Sequence, residues 1–356
     1  MKIHQKDYDI ARKISEEQSN DFPFLTDNQC HDIDKKSASY QEWFNCHTKI
    51  HNIICIFVTT IIFFSDFIVL VKFPELFTFD PKSSAIPWQA IVIGILHGWL
   101  MCGLATYFVH EVSAHNMFFR GKSSFVKWLN NIGKNICRLS FADPHYYSQG
   151  HRKHHQYFTT EKDGSFSNFV DLRRLLLSLI PAAPLMSFSD FFPWRPQEKT
   201  PSRRLSSILG KVYVGFYAVI MIPKFGIVYS IIVLIMAGSW MSYIFDRLRE
   251  STEHFMMPMD KHNGTRQLGL GFWGLLLGGG PWGQPCHMSH HLAPGLPWYL
   301  QIRLHFYLKK TLTPEQKKVF FLTPFIGFPK LFIKLVKTNM QIKGDSSWLV
   351  PTKKTS

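Results

Sequence analysis

The chain has 356 residues, of which 46% are hydrophobic, 15% aromatic and only 18% charged. An ordinary soluble domain carries about 25% charged residues, so the deficit excludes dominant disorder and points to burial in lipid. The net charge of +15 suits an anionic membrane surface or nucleic acid; with 32 Phe, the chain reads as a membrane protein and no nucleic-acid partner is expected.

Residues 1–45 form a polar N-terminal segment, expected on the cytosolic side. No apolar run follows the first residue, so no cleaved signal peptide is expected. Residues 50–71 carry a single charge, Asp66, and are long enough to cross the hydrocarbon core. A Pro-rich loop follows, then a second span over 88–109. Residues 116–140 mix Phe, Trp and Ile with Arg120, Lys122, Lys127, Lys134 and Arg138, the pattern of an interfacial amphipathic helix. Residues 169–193 read as re-entrant or interfacial and 194–206 as a polar connector. The 208–246 stretch is broken by Pro223-Lys224, which predicts a hairpin of two spans, 208–222 and 225–246. Residues 268–282 are too short and Gly-rich to cross, and 311–356 form a basic amphipathic tail. The expected fold is all-α: four transmembrane helices in two hairpins, with a cytosolic helical cap over the domain spanning 46–310. The six Cys include no CxxC pair and read as reduced.

The 17 His are the most informative residues. His110 and His115 follow the second span; His151, His154 and His155 share the HxxHH spacing with His287, His290 and His291. On an α-helix, residues i, i+3 and i+4 lie along one face, whereas neighbours such as His154 and His155 diverge by about 100°. One HxxHH box therefore reaches two metals. In the first box a five-residue offset turns about 140° off the same face, so His110 and His115 are expected at different metals. No span separates boxes one and two, and two spans separate boxes two and three, so all three emerge on one side. His254, past the fourth span, is a ninth candidate, and Glu250 lies four residues earlier on the same helical face. Nine imidazoles exceed a tetrahedral zinc site. They fit two metals with four or five ligands each, and a redox role argues for iron. His97, inside a span, reads as hydrogen-bonded within the bundle, and His145 and His262 read as surface residues, with a place behind the ligands as the lesser alternative.

These boxes resemble the membrane fatty acid desaturase superfamily over roughly residues 45–310. The likeness rests on HisGluValSerAlaHisAsnMetPhePhe (110–119) with TrpLeuAsn (128–130), and on HisArgLysHisHisGlnTyrPheThrThr (151–160) with Asp163. It extends to ArgLeuArgGluSerThrGluHisPhe (247–255) and to the third box with its ProGlyLeuProTrpTyr tail (294–299) and ArgLeuHis (303–305). The resemblance implies a membrane-embedded di-iron oxygenase whose irons activate O2 and abstract hydrogen from an unactivated C–H bond of an acyl chain. It gives His254 a metal role; Glu250 rests on helical geometry alone. Ser289 stands where the family often carries an acidic residue, which leaves desaturation of a lipid acyl chain beside hydroxylation or ketolation of a lipid, alkane or carotenoid. A metal transporter, the reading from another class, needs polar residues along its spans, which hold almost none, Asp66 and His97 standing isolated. The chain holds no HisProGlyGly haem motif and no Cys set for an iron–sulfur cluster. An external donor of the ferredoxin, rubredoxin or cytochrome b5 type is therefore expected. The LysLysThrSer terminus resembles an endoplasmic-reticulum retrieval signal, and a bacterial inner membrane is the other setting.

Overall fold

A computed structural model describes residues 22–73, 88–140, 143–158, 160, 162–163, 200–237, 249, 252–255, 257–282 and 285–343. Helix α1 (Asp27–Cys46) starts at a capping box in which Thr26 and Gln29 satisfy each other's backbone N–H groups. Helix α2 (Thr48–Phe67) continues as a π-helical turn to Lys72. Its buried residues His51, Cys55, Val58, Ile62 and Asp66 recur every three or four positions and form one stripe. The opposite face, with Ile53, Ile56, Phe57, Phe64 and Phe67, is exposed and as apolar. An apolar outer face is what a bilayer, not water, solvates. Helix α3 (Trp88–Ala105) runs on as a π-helix through Ala114. The runs Thr48–Lys72 and Trp88–Ala114 span 25 and 27 residues. At 1.5 Å per residue they exceed the roughly 30 Å of hydrocarbon.

Helix α4 (Ser124–Ile136) is the amphipathic segment, with Phe125, Trp128 and Ile132 exposed along one face. Helix α5 (Pro144–Gln156) carries the second box. Helix α6 (Pro201–Phe225) is the third run long and apolar enough to cross a membrane. It begins seven residues before the predicted span and absorbs the end of the predicted connector. Thr200 caps it and Pro201 opens it, an N-terminal signature that outweighs the polar composition. Its polar first turns are also partnered: Arg138 donates to the Ser202 carbonyl and to Ser206 Oγ, and Ser202 donates to Asp143. The break also differs. Pro223 sits inside α6, and the chain turns at Gly226, whose φ of 84° is a conformation that favours glycine. Helix α7 (Ile227–Met236) follows, and the rest of the predicted fourth span, 238–246, lies outside the described residues, as does 169–193. The described residues thus hold three helices long enough to span and one shorter apolar helix.

Helix α3 is the central element, packed on α2 and α7. It also meets the short helix α8 (Phe272–Gly278). A Cβ at Gly103 would stand 2.3 Å from the Gly279 carbonyl oxygen, so the glycine-rich 268–282 run serves close backbone approach. Asp66 and His97 are not isolated within the spans. The Asp66 carboxylate accepts from His97 Nδ1 of α3 and from Tyr213 and Tyr217 of α6.

The cap is built from α9 (His287–Leu292), α10 (Trp298–Thr311) and α11 (Pro314–Phe320). Helix α1 packs on α9 and α10, so the polar N-terminal segment contributes structure to the cap. Leu312 and Phe320 are buried in the same core as Leu300 and Leu304, and Gln267 pairs with Phe321 in an isolated bridge. The predicted tail is therefore packed to Phe321 before helix α12 (Gly327–Lys343) begins.

Candidate metal centre

His110 lies within the π-helical stretch Thr106–Ala114 and His115 caps its end, the His115 N–H donating to the His110 carbonyl. An i→i+5 hydrogen bond aligns residues five apart. His110 and His115 therefore face the same way, with ring centroids 4.6 Å apart. The expectation that they serve different metals assumed α-helical geometry and does not hold. In the second box Asp143 caps α5 by accepting from the His145 and Tyr146 N–H groups. Helical spacing then sets His151 and His155 on one side and His154 on another, as the HxxHH pattern predicts. The third box fills α9, which is buried throughout its histidines. His254 stands in a turn held by buried Arg266, whose guanidinium donates to the Thr252 and Phe255 carbonyls at 2.8 and 2.6 Å.

The nine histidines form two adjoining groups. In the first, His110, His115, His151 and His290 place nitrogens within 4.8 Å of one another. His155 joins them, with Nε2 2.7 Å from His290 Nε2 and 3.0 Å from His151 Nε2. In the second, His154, His254, His287 and His291 meet the same 4.8 Å limit. Their Nε2 pairs are 3.2 Å apart (His154–His291), 3.1 Å (His254–His287) and 3.0 Å (His287–His291). The His155 and His291 rings, 4.8 Å apart, join the groups.

Among the described residues, three of the outer nitrogens meet acceptors. His154 Nδ1–H donates to Asp163 at 2.8 Å, His254 Nδ1–H to the Gly264 carbonyl at 3.1 Å, and His110 Nδ1–H to Glu111 at 3.2 Å. A neutral imidazole carries one N–H. With that proton on Nδ1, each Nε2 presents a bare lone pair to the next, an arrangement that a cation stabilises. Burial holds the His115 imidazole down to about 4; burial and neighbouring imidazoles hold His155 at about 2 and His254 at about 3. His151, His287, His290 and His291 are pushed well below the ordinary value by the same causes. All seven are neutral donors at physiological pH, the form that binds metal. The donor set therefore fits two imidazole-rich metal sites.

Three residues enter the site that sequence reasoning did not single out. Glu111 bonds His110 and also accepts from the Trp298 N–H at 3.2 Å, which ties the first box to the start of α10. Its signal was adjacency to His110, hidden because an α-helical reading turns it about 100° away. Glu253, fully buried, lies 3.5 Å from His287 Nε2. Gln267 donates to Ser289 Oγ at 3.0 Å, so the position that departs from the family pattern is satisfied by an amide. Glu250 lies outside the described residues. His97 is held by Asp66 within the bundle. His145 bonds Gln149 on the surface and His262 stands 4.0 Å from exposed Asp34, so neither reaches the site.

A cleft of about 230 Å³ reaches both groups, lined by His155, His291, Phe158, Leu292 and Pro294 with Lys261 beside them. A profile of the family described as Fatty acid desaturase matches residues 86–323, a stretch that contains all nine histidines. Comparison with curated proteins and with solved structures returns no match.

Proposed function

The chain belongs to the fatty acid desaturase family, and on that premise we propose that it is a membrane-embedded, O2-dependent di-iron oxidoreductase that introduces a double bond into a lipid acyl chain. The observation that supports this most is the pair of imidazole groups assembled beside the end of the long apolar run Trp88–Ala114. His110, His115, His151, His155 and His290 would hold one iron; His154, His254, His287 and His291 the other. Bound iron supplies the oxidising power that no side chain has, enough to take hydrogen from an unactivated C–H bond.

The chain's own residues do the rest. Asp163, Glu111 and the Gly264 carbonyl keep the proton on Nδ1, so Nε2 stays free to bind. Arg266 fixes the turn that carries His254. Phe158, Leu292 and Pro294 give the cleft apolar walls that favour an acyl chain over water. Removing two hydrogens while O2 becomes two waters requires two external electrons and two protons. A ferredoxin, rubredoxin or cytochrome b5 type donor must bring the electrons one at a time while water supplies the protons, and the charge of +15 attracts such acidic carriers.

Expression with a suitable reductase and lipid profiling by mass spectrometry tests the reaction. Species lighter by two hydrogens are expected; species heavier by one oxygen would replace desaturation by hydroxylation. The shared end of the spans is placed on the cytosolic, reducing side of a bacterial inner membrane or endoplasmic reticulum. A cysteine-accessibility scan should find 145–158 and 285–300 both cytosolic, and opposite sides would sink the shared site.

A further inference from the structure

We propose that Glu253 is a direct oxygen donor to the metal of the His154–His254–His287–His291 group, a role that rests on the di-iron reading above. Among the described residues three carboxylates touch the histidine groups, and they touch different nitrogens. Asp163 and Glu111 contact Nδ1 of His154 and His110, the outer positions. Glu253 Oε2 instead stands 3.5 Å from Nε2 of His287, the nitrogen that faces His254 and His291 at 3.1 and 3.0 Å. It is on the metal side of the ring. The outer nitrogen of His287 is buried and makes no hydrogen bond among the described residues, so Glu253 does not act as its outer acceptor.

The fold holds this carboxylate in place. Glu253 precedes His254 in the turn that Arg266 binds at both ends, and the Arg266 N–H donates to the Glu253 carbonyl at 2.9 Å. With Glu253 counted, the second group offers five donors, as the first does with His155. The two sites then differ in chemistry: one all-imidazole, the other with a fully buried anionic oxygen that offsets metal charge. The competing role is a buried ion pair with Arg249, whose Nε lies 4.0 Å from Oε1.

The test uses the full chain loaded with ⁵⁷Fe in detergent, read by iron content and Mössbauer spectroscopy. Glu253→Gln, which keeps the side-chain volume, should lose one of two irons to a mild chelator ~100-fold faster or more, beyond the 10–100-fold effect of outer partners of a ligand, and shift one quadrupole doublet only. Arg249→Gln should leave both irons and both doublets as in wild type. If Glu253→Gln does not yield monodisperse protein, Glu253→Asp is read instead and should shift the same single doublet. Unchanged iron retention and spectra in the Glu253 variant overturn the assignment, as does equal iron loss in Arg249→Gln, which would make the pair structural. A wild-type chain that holds no iron overturns the di-iron reading and this one together.

Discussion

His290→Ala should take the iron content from two per chain toward one and cut turnover by about 100-fold or more, beyond the 10–100-fold that outer partners of a ligand typically carry. His290 is fully buried, and its Nε2 lies 3.2 Å from His110 Nε2 of the first box and 2.7 Å from His155 Nε2 of the second. It is therefore where three separate stretches of chain meet. Removing it leaves lone pairs with one donor fewer around a cation, and no neighbouring residue replaces the imidazole. The variant should still insert, because the spans are held by α2, α3, α6 and α7, not by α9. His154→Ala should mirror the loss from the other group. Wild-type iron and wild-type turnover in both variants would remove the metal reading of these groups.

His97→Ala should destabilise the folded bundle by about 3–5 kcal/mol, the cost of leaving one partner of a buried pair behind. Asp66 is buried in α2 and its carboxylate takes three donors, one from His97 and two from tyrosines of α6. Without His97 the carboxylate keeps two donors in a medium with no water to replace the third. The double replacement Asp66→Leu, His97→Leu removes the stranded charge as well, and should recover much of the lost stability. Unfolding in bicelles, compared across the cycle, measures this. A single variant within about 0.5 kcal/mol of wild type would end the idea that the cluster joins α6 to the α2–α3 pair. Turnover per folded molecule should not change, because thirteen residues of helix, roughly 20 Å, separate His97 from His110.

The amphipathic helix α4 and the first two long apolar helices were legible because they depend on local periodicity. A helix in lipid must satisfy its backbone within itself, so a long apolar run with few charges is sufficient evidence for its own structure. Prolines misled where context overrode them. Pro223 reads as a breaker and forfeits one i→i−4 bond, yet the chain stays helical through Phe225 and the reversal waits for Gly226. The connector before α6 read as loop because its residues are polar, and their partners, Arg138 and Asp143, are about sixty positions away in sequence.

For the site, residue identity came from the sequence and grouping from the fold. The HxxHH spacing alone set which histidines of boxes two and three diverge, since α-helical angles are local and fixed by hydrogen bonding. The pairing of His110 with His115 was not available from spacing, because nothing local announces a π-helix; α5 packs against that segment and its geometry is visible only in place. Glu111, Glu253 and Gln267 were invisible for a related reason. A buried polar group is defined by the partners it meets, and these come from segments up to 187 residues apart. By itself, the sequence determined that this is an apolar helical chain with nine imidazoles suited to metal. Tertiary structure alone decided which five and which four stand together, and which carboxylate stands beside Nε2 of His287, because contacts across long loops carry no local signature.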